Sequence, residues 1–172
     1  EAPCWVIYTS GTTGNPKGAL HAHRALLGHL PGYELAHDFA PQPGDLAWTP
    51  ADWAWIGGLA NILLCSWFHG IPVLGYRFRR FDPEKALALI KKHQVRNTFL
   101  PPTALKFIRQ LPESSSQVQT SLRSIMSAGE PLGAEMLKWG ADCLNVKINE
   151  MYGQTEVNYF LSLIHISEPT RP

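Results

Sequence analysis

Short apolar runs bounded by glycine and proline alternate with longer segments of helical hydrophobic spacing. The short runs predict β-strands at 5–8, 45–49, 71–74, 95–100, 124–127 and 146–148. The longer segments predict helices at 24–37, 56–68, 83–93, 103–111 and 132–140. Alternating strands and helices are typical of a parallel sheet with crossover helices. The pattern therefore predicts an α/β fold, a mostly parallel sheet flanked by helices.

The helix predicted at 83–93 has a local start signal. Asp82 can accept hydrogen bonds from free backbone N–H groups, and Pro83 at the first helical position gives up no bond. Pro101 and Pro102 interrupt the strand pattern before the next helix, and the polar stretch 113–120 predicts a linker.

Composition and charge narrow the class of protein. With 172 residues, 45% hydrophobic and 17% charged, the chain is typical of globular sequences. The net charge of +1 gives no broad attraction to nucleic acid or an anionic membrane, so we expect neither as a partner. Three widely spaced cysteines predict neither a disulfide framework nor a zinc site and fit a cytoplasmic location. No apolar run approaches the roughly 20 residues of a membrane span.

The two ends of the sequence do not look native. The chain starts at Glu1 without an initiator methionine, and the segment 161–172 resembles the translation of a transposon-type sequencing-library adaptor. We therefore expect residues 1–160 to be a partial domain and 161–172 to be a non-native tail. A native amphipathic terminal strand is the alternative.

The segment 8–18, Tyr-Thr-Ser-Gly-Thr-Thr-Gly-Asn-Pro-Lys-Gly, predicts a phosphate-binding loop. Glycines let backbone N–H groups approach an anion, hydroxyls add donors and a lysine adds charge. The order is not that of a Walker A loop, because the glycines are too close and the lysine is followed by glycine. A plain glycine-threonine turn is the alternative. The candidate nucleotide-binding residues are Thr9, Ser10, Gly11, Thr12, Thr13, Gly14 and Lys17.

This loop resembles that of the adenylate-forming, or AMP-binding, superfamily. Met-Ser-Ala-Gly-Glu-Pro-Leu at 126–132 is similar to the segment beside the adenine, and Tyr-Gly-Gln-Thr-Glu at 152–156 is similar to the Tyr-Gly-x-Thr-Glu motif. The segments 49–58 and 97–103 look most like acyl-CoA synthetases of the acetyl-CoA and medium-chain type. The resemblance covers essentially all of 1–160 and implies part of the large N-terminal domain of such an enzyme.

The resemblance assigns roles to residues of the two later motifs. Gly129, Glu130 and Pro131 would lie along the adenine, although a helix cap explains them as well. The motif at 152–156, taken alone, is compatible with an ordinary polar turn. In the family, its residues would pack on the adenine, contact the α-phosphate and hold Mg²⁺, which suits an aromatic face, a hydroxyl and a carboxylate respectively. The nucleotide-binding candidates here are Tyr152, Gly153, Gln154 and Thr155, the metal ligand is Glu156, and the catalytic candidates are Lys17, Thr155 and Glu156.

The resemblance also places an acyl pocket at 49–58, with an aromatic gate at Trp53 and a wall at Trp55. For Trp48, the sequence does not decide between a position in the hydrophobic core and a position in the site. Acetate-restricted relatives carry a tryptophan at the position of Gly153. Its absence implies an open pocket and an acid longer than acetate or propionate, such as a medium-chain or branched fatty acid.

The implied reaction is ATP-dependent activation of a carboxylic acid to an acyl-adenylate, followed by thioester formation with coenzyme A. ATP, coenzyme A, the acid and Mg²⁺ are the expected ligands. The family's ribose-binding Asp, hinge and C-terminal catalytic Lys lie beyond these motifs, so we expect an inactive fragment that needs the remainder of its chain. Two alternatives stay open: an amino-acid-activating module, for which Asp52 would be the carboxylate, and an inactive nucleotide-binding remnant.

Two clusters of charged or titratable residues could suggest binding sites, but explanations without a ligand are favoured for both. The histidines at 21, 23, 29 and 37 have poor spacing for a metal site, which favours helix capping and surface exposure. The arginines at 77, 79 and 80 alternate with aromatic residues, and a solvated rim is favoured over a nucleic-acid or coenzyme A patch.

Overall fold

The computed structural model describes residues 2–9 and 14–162. The first element is an antiparallel hairpin of β1 (Pro3–Thr9) and β2 (Lys17–Ala22), in which Val6 pairs with Leu20. The strand predicted at 5–8 is confirmed. β2 was not predicted, because its six residues include Gly18 and His21 and show little apolar alternation.

The main sheet has five strands in sequence order: β3 (Ala47–Trp48), β4 (Asn97–Phe99), β5 (Ser124–Ala128), β6 (Ile148–Gln154) and β7 (Asn158–Ser162). β3 to β6 are parallel and β7 runs antiparallel to β6. The predicted α/β fold with a mostly parallel sheet is confirmed. The strand expected at 71–74 is reduced to a single bridge between Val73 and Ala47.

The helices connect the strands as the pattern predicts. They are α1 (Arg24–Ala36), α2 (Ile56–Gly58), a π-helix (Leu59–Leu64), α3 (Cys65–Phe68), α4 (Pro83–His93), α5 (Pro102–Arg109), a 3-10 turn (Pro112–Ser115) and α6 (Ala134–Cys143). α4 begins as expected, since the Asp82 carboxylate accepts a hydrogen bond of 3.1 Å from the Lys85 N–H. Within the described part of the chain, no helix is long and apolar enough to cross a membrane.

Successive residues of the sheet strands point into different cores. Ile125 and Leu100 belong to one cluster, which is filled by α4, α5 and α6. Met126 and Phe99 belong to the other cluster, together with residues of α1 and the 59–65 segment. Strand side chains alternate between the two faces of a sheet, so this register separates the layers.

Buried polar groups join α1 to the sheet at the edge where its parallel strands begin. His37, just after α1, shares a hydrogen bond of 2.8 Å between its Nδ1 and the Ser124 hydroxyl. The Asn149 amide donates to the Ala36 carbonyl at 2.8 Å. Burial lowers the pKa of His37 to about 3, and the nearby Arg123 charge adds to the shift, so its ring is neutral at ordinary pH.

Candidate active site

Two of the three motifs follow neighbouring parallel strands. Gly129 comes directly after β5, as the sequence predicts. The strand predicted at 146–148 is longer in the structure, because pairing with β7 extends β6 through Gln154, which includes the first three residues of the motif at 152–156. Thr155 and Glu156 lie in the turn that follows. The carboxyl ends of parallel strands are where open α/β sheets bind ligands.

A cavity of about 480 Å³ opens at this end of the sheet. Its volume is within the usual range for small-molecule sites. The structure brings five of the predicted site residues together in its wall: Trp55, Gly129, Gly153, Gln154 and Thr155. It adds Phe99 and Pro101, to which the sequence analysis gave no role, and Asp52, which was named only for the amino-acid-activating alternative.

Two glycines of this wall are needed by the backbone itself. Gly129 has φ of +108°, a conformation that side chains with a Cβ rarely adopt. A Cβ on Gly153 would overlap the backbone carbonyl oxygen of Asn158 on β7. Gly153 therefore has a structural role in the β6–β7 hairpin in addition to its place in the cavity wall.

Tyr152 and Glu156 lie outside the cavity lining. Tyr152 is 50% exposed, and its hydroxyl accepts a hydrogen bond of 2.9 Å from the Gln154 amide. Glu156 is exposed, and among the described residues no group of three His, Cys, Asp or Glu side chains could hold a metal. A single exposed carboxylate fits Mg²⁺ that is bound mainly by substrate phosphates and water.

The segment 129–133 is attached to its surroundings at two points. The Leu132 N–H donates to Glu150 Oε1 at 3.1 Å, and Lys106 Nζ lies 3.7 Å from Glu130 Oε2. α6 begins only at Ala134, with Gly133 as its N-cap residue, so Glu130 and Pro131 do not cap this helix. The helix-cap explanation of these two residues is wrong.

The tryptophans at 48, 53 and 55 have three different environments. Trp48 is fully buried in the core. Trp55 is 66% exposed and lines the 480 Å³ cavity, whereas Trp53 lines a neighbouring cavity of about 530 Å³ with Tyr76 and Arg77. Asp52 lines both cavities. The predicted gate and wall therefore lie in different cavities.

Part of the predicted phosphate loop can be located. Thr9 ends β1 and pairs with Lys17, the first residue of β2, and the Thr9 hydroxyl donates to the Lys17 carbonyl at 3.4 Å. Gly14 and Lys17 are exposed. Ser10, Gly11, Thr12 and Thr13 lie outside the described residues.

A polar pair that sequence reasoning missed lies in the cavity wall. His29 of α1 and Asn61 of the π-helix both line it, with 2.6 Å between His29 Nε2 and Asn61 Oδ1. Desolvation lowers the pKa of His29, although the hydrogen bond to Asn61 opposes the shift. A histidine five residues after the start of a predicted helix carried no signal for this contact.

The predicted surface exposure is wrong for most of the histidine cluster and correct for the arginine cluster. Surface exposure is wrong for His21, His29 and His37, which are buried, whereas His23 is exposed at the N-cap position of α1. The arginines at 77, 79 and 80 are all exposed, as a solvated rim requires.

Comparison with known proteins decides the family. The family model described as AMP-binding enzyme matches residues 1–172. The chain belongs to this family. Among AMP-binding enzymes, the acetyl-coenzyme A synthetase of Bacillus subtilis strain 168 is 31% identical over 153 residues, which covers 87% of this chain and 26% of that protein. The chain therefore spans about a quarter of that relative's length.

Solved structures of AMP-binding enzymes share the fold. The Brucella canis acyl-CoA synthetase has a TM-score of 0.79 and 32% identity, over 96% of this chain and 30% of that one. The ATP-bound MatB of Rhodopseudomonas palustris has a TM-score of 0.74 and 27% identity, over 91% of this chain and 30% of that one. The resemblance inferred from the three motifs is confirmed.

Proposed function

We propose that this chain is part of an AMP-forming acyl-CoA synthetase that activates a medium-chain or branched fatty acid. The observation that carries the proposal is the convergence of Trp55, Gly129, Gly153 and Thr155 on one cavity. These residues come from three separate segments of the sequence. The ATP-bound relative and the curated acetyl-coenzyme A synthetase support the reaction class.

The reaction has two steps. A carboxylate oxygen of the acid attacks the α-phosphorus of ATP, the bond to the bridging oxygen breaks, and pyrophosphate leaves. The sulfur of coenzyme A then attacks the acyl carbon of the adenylate, which releases AMP and the thiol proton. Such displacements depend on positioning and on neutralising charge more than on a protein nucleophile.

The predicted ATP-binding and Mg²⁺-binding residues have separate roles in this proposal. The loop at 9–14 and Lys17 would hold the β- and γ-phosphates, and Thr155 would contact the α-phosphate. The segment Gly129 to Pro131 and the Tyr152 ring would flank the adenine. Glu156 would bind Mg²⁺, which supplies positive charge to the phosphates when bound.

The choice of a longer acid rests on Gly153, at the position where the family resemblance implies a tryptophan in acetate-restricted members, although the relatives include acetyl-coenzyme A synthetases. Gly153 contributes no side chain to a wall whose apolar part includes Trp55, Ile56 and Phe99. An apolar acyl chain gains free energy on entering such a space in proportion to the apolar area removed from water.

The test uses the complete protein, recovered by extending the source DNA beyond both ends of this sequence. Exchange of labelled pyrophosphate into ATP is measured with acetate, octanoate and a branched acid, and thioester formation is followed by mass spectrometry. We expect octanoate or the branched acid to support at least tenfold faster exchange than acetate, about 1.4 kcal/mol. A preference for acetate would overturn the acid class, and no exchange with any acid would indicate an inactive remnant.

Two variants of the complete protein refine this test. Glu156→Gln should abolish adenylate formation at ordinary Mg²⁺ concentrations. Glu135→Gln, an exposed carboxylate on α6, is the matched control and should leave exchange unchanged. Near-normal turnover of Glu156→Gln would remove this residue from the site.

A second candidate function is activation of an amino acid. Asp52 lines the cavity, and a carboxylate there could bind an amino group, although its Oδ1 already accepts a hydrogen bond of 2.9 Å from the Ala54 N–H. Adding amino acids to the exchange panel decides between the two candidates.

A further inference from the structure

The wall of the 480 Å³ cavity contains a polar pair among apolar neighbours. His29 and Asn61 lie there with Ile56 and Phe99, and the Tyr159 ring packs on the His29 ring at a centroid distance of 4.3 Å. His29 is 1% exposed and Asn61 is 5% exposed. Burying two polar side chains beside an acyl cavity is unfavourable unless their hydrogen-bonding groups are satisfied.

The contact between the two side chains fixes the position of the His29 proton. An amide oxygen only accepts hydrogen bonds, so His29 Nε2 must donate across the 2.6 Å to Asn61 Oδ1. Burial favours the neutral ring. In a neutral ring with a proton on Nε2, Nδ1 has a free lone pair and is an acceptor.

The pair has hydrogen-bonding groups beyond those used in its own contact. His29 Nδ1 is buried and has no hydrogen-bond partner among the described residues. The contact with His29 uses only the oxygen of the Asn61 amide, and the amide nitrogen carries two N–H donors. The pair therefore offers one acceptor and one donor, and a hydroxyl group, which can donate and accept, complements both.

We propose that His29 and Asn61 form a specificity subsite for a hydroxyl group on the acyl chain, so that the enzyme activates a hydroxy acid in preference to the unsubstituted acid. This inference rests on the proposed acyl-CoA synthetase function and names the substrate class of the same cavity. The carboxylate end would lie towards Gly129 and Thr155, and the hydroxyl would lie at the His29–Asn61 pair. Neither residue takes part in the chemical steps.

The test compares octanoate with hydroxyoctanoates that carry the hydroxyl at successive positions from carbon 3 to carbon 8. Pyrophosphate exchange is measured with the complete protein, and kcat/KM is determined for each acid. We expect one hydroxy acid to exceed octanoate by about tenfold or more, because a site that hydrogen-bonds a substrate hydroxyl discriminates against the analogue that lacks it. Octanoate exceeding every hydroxy acid would overturn the subsite while leaving the proposed function intact. Exchange with none of the acids would overturn both.

Substitutions of His29 and Asn61 test whether this pair causes the preference for a hydroxy acid. His29→Phe keeps an aromatic ring against Tyr159 and removes both nitrogens, and it should bring the ratio of hydroxy acid to octanoate close to one. Asn61→Leu should act in the same direction. His23→Phe changes an exposed histidine at the start of the same helix and should preserve the ratio. A ratio that is unchanged in both His29→Phe and Asn61→Leu would overturn the assignment, and the comparison of acids in the unaltered protein tests it even if a variant fails to fold.

Discussion

The carboxylate of Glu150 on β6 accepts a hydrogen bond of 3.1 Å from the Leu132 N–H, which ties the segment beside the proposed adenine position to the central sheet. Glu150 lies two residues before Tyr152, so one strand anchors both sides of this position. The bond joins a charged acceptor to a backbone donor, a class worth about 1.5–3 kcal/mol.

Glu150→Ala should therefore raise the KM for ATP by about tenfold in the complete protein, with a smaller effect on the KM for the acid. The reason is loss of the fixed position of 129–132. Glu150→Gln keeps an acceptor and should recover most of the affinity. Steady-state kinetics with ATP and acid varied separately measure the two KM values. Equal changes in both would indicate a general loss of structure instead.

Gly153 is expected to tolerate no side chain without a change in the β6–β7 hairpin. Gly153→Ala places a Cβ against the Asn158 carbonyl and should destabilise the protein by about 1–3 kcal/mol. Gly28→Ala is the matched control, because nothing lies within 4 Å of a Cβ there and helical alanine is favoured over glycine. Urea unfolding of both variants measures the difference.

The two cavities separate the predicted roles of Trp53 and Trp55. Since Trp55 shares its cavity with Gly153, Trp55→Ala should change the preference among acids more strongly than Trp53→Ala. The measurement is kcat/KM for acids of four to twelve carbons with each variant. A larger change for Trp53→Ala would restore the gate to the position that family resemblance gives it.

His37 should make stability depend on pH. Its pKa is about 3 in the folded state and 6.5 ordinarily, so the unfolded chain binds more protons between these values. The contribution of His37 to the free energy of unfolding is therefore complete above pH 6.5 and falls as the pH falls towards 3. At pH 5 the loss is about 2 kcal/mol. Urea midpoints from pH 8 to 4 measure the slope. His37→Asn should reduce it, and His93→Asn, an exposed control, should leave it unchanged.

Local signals in the sequence predict much of the fold. Asp82 and Pro83 mark the start of α4 because capping and a fixed proline φ act within one turn of helix. The extension of β6 through Gln154 depends on β7, a partner that the sequence of β6 does not indicate. Strand ends set by such pairing are not visible in local patterns.

Part of the candidate site is likewise predictable from the sequence, and part is not. The glycines and hydroxyls of the motifs are adjacent in sequence, so their pattern predicts a nucleotide site directly. The His29–Asn61 contact joins residues 32 positions apart on two helical segments, and its chemistry depends on burial that only the packed structure supplies. Trp53 and Trp55 likewise line different cavities, a difference that residue type cannot indicate because both are tryptophan.

The alternation of Phe99 with Leu100 and of Met126 with Ile125 has a consequence for engineering. Phe99 lines the cavity, and the Tyr159 hydroxyl beside it donates to the Met126 sulfur at 2.9 Å, whereas Leu100 and Ile125 face the helices on the other side of the sheet. Substitutions at Leu100 and Ile125 should therefore change thermal stability while leaving the residues of the cavity wall in place. Substitutions at Phe99 and Met126 should change both substrate preference and stability, because that face of the sheet belongs to a core cluster as well.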